Sequence, residues 1–98
     1  MEMWFSEFHT PDVKHSIRVN RQLYSKQCDY QRIDIFETPE FGRVLTFDGN
    51  VMLTERDEFI YDEMITHVPM AIHKEAKDIL VIGAGDGGVV RELTRYDR

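Results

Sequence analysis

One run in this sequence combines residue types and spacing that suit ligand chemistry: Gly83-Ala84-Gly85-Asp86-Gly87-Gly88. Gly83, Gly85 and Gly88 fit G-x-G-x-x-G, and the run joins an apolar stretch, Ile79-Leu80-Val81-Ile82, to a helical pattern over Val89 to Tyr96. A strand before and a helix after are the context that gives this spacing physical meaning. Gly83 permits a tight turn, Gly85 lets backbone approach a ligand, and Gly88 lets the helix pack on the strand. Asp86 narrows the ligand. A pyrophosphate at a helix N-terminus gains from positive surroundings, and a carboxylate in the loop repels it. The same carboxylate attracts a sulfonium or ammonium, by about 4 kcal/mol at a separation of about 4 Å and an effective dielectric of ~20. The loop therefore favours a cationic, S-adenosyl-type cofactor over NAD. Asp86 has a second reading as a helix cap, accepting the backbone N–H of residue 88 or 89.

A second constellation runs from Thr54 to Met64, where acids flank Arg56 near the start of a helix. Asp57 and Glu58 suit a first turn, where carboxylates meet the positive end of the helix dipole. Glu55 and Glu63 read as a solvated face. Tyr61 and Asp62 precede the glycine loop by about twenty residues, enough for the helix to fold back over the strand's C-terminal end. There they line a cationic pocket, Tyr61 adding a π face, or they belong to the same solvated helix start. His9, His15, His67 and His73 show no H-x-x-x-H spacing, so no metal site is expected. His67 reads as a packed residue, and Met52, Met64 and Met70 as core fillers. Cys28 is the single cysteine; it cannot form an internal disulfide, fits a reducing cytosol and reads as a strand thiol.

These groups need a scaffold, and the pattern changes near residue 54. Trp4 to Phe8 reads as a strand, Pro11-Asp12 as a turn, and His15 to Val19 as a strand with Ile17 and Val19 on one face. Gln31 to Ile35 alternates polar and apolar. Thr38 to Gly42 is a connection. Val44 to Phe47 and Val51 to Thr54 form a hairpin at Asp48-Gly49, a pair suited to the positive φ of a type I′ turn. From Asp57 the period becomes helical, with Phe59, Ile60, Met64, Val68 and Ile72 as the apolar face. Pro69 is expected to end or kink that helix near His67-Val68. Ile79 to Ile82 is expected as a strand covered on both faces.

The expected fold class is α/β. Residues 1–53 form an N-terminal antiparallel β-sheet module. Residues 54–98 begin a Rossmann-like, methyltransferase-type doubly wound domain: its first strand, loop and helix. One βα unit cannot cover a parallel strand on both faces, so the domain is expected to be truncated. Composition agrees with a foldable chain: of 98 residues, 42% are hydrophobic and 11% aromatic. The 18 acids outnumber 12 scattered basic residues, a net charge of -6. That disfavours nucleic acid as a partner and suits a cationic small molecule. No apolar run is long enough to span a membrane, and the N-terminus has no signal-peptide pattern.

Several linked motifs carry a family resemblance. Asp57-Glu58-Phe59-Ile60-Tyr61-x-Glu63-Met64, His67-Val68-Pro69, and Leu80-Val81-Ile82-Gly83-x-Gly85-Asp86-Gly87-Gly88 with Arg91-Glu92 behind resemble the spermidine synthases, polyamine aminopropyltransferases. Trp4-Phe5-x-Glu7, Tyr30-Gln31-Arg32-Ile33 and Val44-Leu45-x-x-Asp48-Gly49 extend the similarity upstream. The resemblance implies transfer of an aminopropyl group from decarboxylated S-adenosylmethionine, a co-substrate and not a tightly bound cofactor, to putrescine. It implies that Gln31 contacts the thioadenosine end and that Gly83 and Gly85 belong to the cofactor loop. Asp86 holds the amine of the aminopropyl arm. Tyr61 orients the attacking nitrogen, Trp4 walls the diamine site, and position 62 meets the polyamine. It also implies a cytoplasmic homodimer or homotetramer built through the β module.

Two positions depart from the family pattern: Asp62 stands where His or Gln is usual, and Ala84 where glycine is usual. Asp62 near Asp86 is expected to raise the carboxyl pKa values. The family's general base and ribose-binding acid lie beyond Arg98, so the 98 residues alone are expected to be inactive. Two rivals remain at this stage: a non-catalytic assembly or polyamine-binding module, and an S-adenosylmethionine-dependent putrescine N-methyltransferase.

Overall fold

The computed structural model describes residues 1–83 and 85–97. The chain divides into two compact units, Met1–Asp57 and Glu58–Arg98.

The first unit is all β. Strands β1 (Met3–Thr10) and β2 (Val13–Val19) form an antiparallel pair turned at Pro11-Asp12. Strands β3 (Arg21–Gln27), β4 (Arg32–Thr38), β5 (Gly42–Phe47) and β6 (Asn50–Thr54) form a four-stranded antiparallel meander in chain order. Ile17, Val19 and Val44 are buried, as the alternation in β2 and β5 requires. Phe5 and Phe36 stack with ring centroids 5.1 Å apart, and Glu7 accepts the backbone N–H of Val51, so β1 contacts the larger sheet. The β5–β6 turn has Asp48 at φ 52° and Gly49 at φ 82°, the pair of positive values that Asp-Gly predicts. The Asp48 carboxylate also accepts the backbone N–H of Arg32 at 2.8 Å, tying this turn to the start of β4.

Strand β3 was absent from the sequence expectation. All seven of its residues are exposed, so no hydrophobic alternation marks it. Cys28 lies just past its end, half-buried and outside any strand.

The second unit holds α1 (Glu58–Ile72) and α2 (Gly88–Leu93). Two expectations about α1 need correction. The buried residues are Asp62, Thr66 and Met70, one stripe at four-residue steps, while Phe59, Ile60, Met64, Val68 and Ile72 are exposed. The helix is apolar on more than one face, and the elements packed on it in this unit take the Asp62 side. Pro69 does not end the helix, which runs on to Ile72. Proline removes one donor and crowds one carbonyl; placed in the final turn, it interrupts little, and His73 N–H still bonds Pro69 O at 2.9 Å. Residues 79–82 are also corrected: they have no strand partner among the described residues, and Ile79, Leu80 and Ile82 are exposed. A parallel strand exists only through neighbouring strands, and local sequence cannot supply them.

Candidate functional site

The glycine loop connects residues 79–82 to α2. Gly83 has φ 87° and Gly87 has φ 77°, so both turns need a residue without a Cβ. Ala84 lies outside the described residues. Asp86 is exposed at the loop's tip. Gly87 is the N-cap of α2, and no side chain makes a capping hydrogen bond there. Among the described residues no side chain, Asp86 included, caps α2.

Gly88 serves a different neighbour from the one expected. A Cβ there would lie 2.0 Å from Asp62 Oδ2 and 2.5 Å from Asp62 Cγ. The space a side chain would fill at the start of α2 is occupied by the Asp62 carboxyl group from α1. Asp62 is 2% exposed, while Tyr61 beside it is 66% exposed. The two neighbours thus differ in exposure, one buried and one open. Tyr61 borders an apolar groove with Ile65, Met70, Leu80, Val89 and Leu93.

Asp62 has close acidic company. Glu58, one turn earlier on α1, and Asp86, on the loop, each place a carboxylate oxygen within 4.8 Å of the others in the trio. Opposite them stands Arg91 of α2. Its Nη1 donates to Glu58 Oε1 at 3.0 Å, its Nη2 lies 3.6 Å from Asp62 Oδ2, and its Nε donates to Glu92 Oε2 at 3.1 Å. Asp62 Oδ2 makes no hydrogen bond among the described residues. Burial pushes the Asp62 carboxyl up to about 6, with the Glu58 hydrogen bond and the Asp86 charge acting the same way and Arg91 opposing them. The hydrogen bond from Asp62, then that from Arg91, holds Glu58 below its ordinary range. Of this pair, Asp62 holds its proton more tightly and Glu58 less. A raised carboxyl was expected from the nearness of Asp86; burial is the larger cause.

Glu92 completes the inner layer. It is 1% exposed and takes hydrogen bonds from His67 Nε2 at 2.9 Å and from Arg91, with Arg95 Nε 3.3 Å away. An ionised carboxylate only accepts, so Nε2 carries a proton toward Glu92, and Nδ1 pairs with the Tyr96 hydroxyl, 2.7 Å away. The His67 bond is the main reason Glu92 lies below the usual carboxylate range. His67 is thus engaged in a polar clasp between α1 and the end of α2. The sequence reading had not grouped Glu58, Arg91 and Glu92 with the site. The four-residue step from Glu58 to Asp62, which places both on one helix face, was the available signal.

The three carboxylates lie close enough together to share one positive charge, and Arg91 supplies it. In the first unit, Gln31 immediately precedes β4, half-buried, with its carbonyl accepting Cys28 N–H at 2.8 Å. Trp4 is 55% exposed on β1, its indole N–H donating to Glu2 at 3.3 Å.

Residues 3–55 match the family model described as the spermidine synthase tetramerisation domain, and residues 58–98 match the spermine/spermidine synthase domain. The chain belongs to the spermidine synthase family. It is 62% identical over 97 residues to a polyamine aminopropyltransferase of Alkaliphilus oremlandii, covering 99% of this chain and 34% of that protein. A polyamine aminopropyltransferase of Clostridium botulinum is 64% identical over 96 residues, covering 98% and 34%. Among solved structures, spermidine synthase in complex with the transition-state analogue AdoDATO superposes with a TM-score of 0.91 at 49% identity, over 97% of this chain and 33% of that one. Spermidine synthase from Thermotoga maritima gives 0.90 at 48%, over 96% and 33%. The chain therefore spans about a third of the length of the family members it matches. The β module followed by a helix, glycine loop and helix is the fold of this family's N-terminal part. No helix among the described residues is long and apolar enough to cross a membrane.

Proposed function

We propose that this chain supplies the oligomerisation module and the cofactor loop of an aminopropyltransferase that uses decarboxylated S-adenosylmethionine and putrescine. The observation that carries the proposal is the Asp86 carboxylate: exposed on a glycine loop and unused as a cap. The chemistry is attack by a neutral amine on a carbon next to a sulfonium. Two cations must be held together, and the attacking nitrogen must lose a proton. Asp86 would hold the ammonium of the aminopropyl arm by charge and hydrogen bonding. Gly83 and Gly85 would let backbone approach the cofactor, Gln31 would meet its thioadenosine end, Tyr61 would orient the diamine, and Trp4 would wall it. Asp62, buried, would act on the polyamine through charge more than through contact. The β module would join copies into a dimer or tetramer, a role the matched tetramerisation domain supports.

Calorimetric titration with decarboxylated S-adenosylmethionine, methylthioadenosine and NAD tests the cofactor assignment. Binding of the first two without NAD is expected, and binding of NAD alone would overturn it. Asp86→Asn should weaken decarboxylated S-adenosylmethionine by about 10- to 100-fold, the scale of one charge-assisted hydrogen bond, and methylthioadenosine, which lacks the amine, by less than threefold on the same scale. Equal losses for the two ligands would remove Asp86 from the amine.

A further inference from the structure

Behind the loop, Asp62 is packed so closely that its fate is tied to the ligand's charge. Its carboxyl lies against the bare Cα of Gly88, two residues beyond Asp86, and is sealed from solvent. Among the described residues, three charged groups face it. Glu58 approaches from its own helix, Asp86 from the loop, and Arg91 from α2, where Arg91 is shared with Glu58 and Glu92. One guanidinium, shared also with Glu92, cannot neutralise three carboxylates, which favours the protonated form of one of them. Burial selects Asp62.

We infer that Asp62 is a positioning residue for the Asp86 subsite, losing its proton to solvent when an ammonium group docks on Asp86, so that cation capture by the loop is coupled to proton release. The inference rests on the proposed role of Asp86. Its physical basis is charge balance. The incoming ammonium adds the positive charge that the trio lacks, and the cost of ionising Asp62 falls. The Asp62 O–H bond breaks, the proton passes to buffer, and the new carboxylate adds its field to that of Asp86. Asp62, raised to about 6 in the free protein, is half-protonated where this exchange is easiest to observe. Linkage then sets the direction: affinity for a cationic ligand rises with pH through that region. The rise is about tenfold for each unit by which the ligand lowers the Asp62 midpoint.

The experiment is calorimetry at pH 6 in buffers of different ionisation enthalpy, which counts protons released on binding. Decarboxylated S-adenosylmethionine should release a measurable fraction of a proton from the wild-type chain, and methylthioadenosine none. Asp62→Asn, nearly the same shape, should still bind, more weakly because the second carboxylate's field is gone, and lose the release. An unchanged release in Asp62→Asn overturns the inference and leaves the proposed function standing; no binding of either ligand overturns both. A carboxyl-carbon NMR titration of wild-type Asp62 gives the same answer without a variant. Its midpoint should fall when decarboxylated S-adenosylmethionine is added and stay fixed with methylthioadenosine; a midpoint that stays fixed with both overturns the inference.

Discussion

Gly88 and Asp62 behave as a single packing unit. The carboxyl group occupies the volume that any other residue at position 88 would claim. Gly88→Ala should therefore destabilise the Glu58–Arg98 unit by about 2 kcal/mol, the usual scale of overpacking. Asp62→Ala vacates the space, so the double variant should recover at least about 1 kcal/mol of the summed loss, as contacting residues do in double-mutant cycles. Urea unfolding followed by helical circular dichroism measures this. Strict additivity would show that the two residues do not meet. None of this contact was legible in the sequence. Gly88 was recognised as a glycine that backbone packing required, which was the right residue for an incomplete reason. The spacing G-x-G-x-x-G specifies where a side chain is forbidden, and not which partner forbids it.

At the scale of elements, legibility followed how much each element's sequence had to encode by itself. β1, β2, β4, β5 and β6 were readable because one face is buried or a turn residue is demanded, as at Asp48-Gly49. β3 was not, because an exposed edge strand imposes no pattern. Helix α1 was readable in existence and wrong in phase. Its apolar residues cover several faces, and the face chosen by α2 and the glycine loop is the one bearing Asp62, Thr66 and Met70. Beside the apolar groove, a polar clasp centred on Glu92 joins α1 to α2. Glu92→Gln keeps the volume and removes the charge that His67, Arg91 and Arg95 share. It should lower helix-pair stability by about 2 kcal/mol, read as an earlier urea midpoint of the helical signal. Glu37→Gln, on an exposed ion pair with Arg21, should change stability by less than about 0.5 kcal/mol. Equal effects would mean that the buried clasp contributes no more than a surface pair.

For the molecule as a whole, burial differs between the central strands of the first unit and residues 79–82 of the second. The first closes Val44 and Thr46 almost entirely, at 1% and 0% exposure. The second leaves Leu80 and Ile82 largely exposed. Local opening follows that difference. Amide exchange by mass spectrometry should be at least about tenfold slower in β4 and β5 than across residues 79–82 and α1; uniform protection would refute the distinction. The meander has a further consequence in time. Each strand of the four-stranded sheet pairs with its neighbour in the chain, so those pairings close over short loops and form early. The carboxylate trio joins residues 58 and 62 to residue 86. On a ribosome the β hairpins can close before Asp86 has been made, and the three acids can meet only after it has.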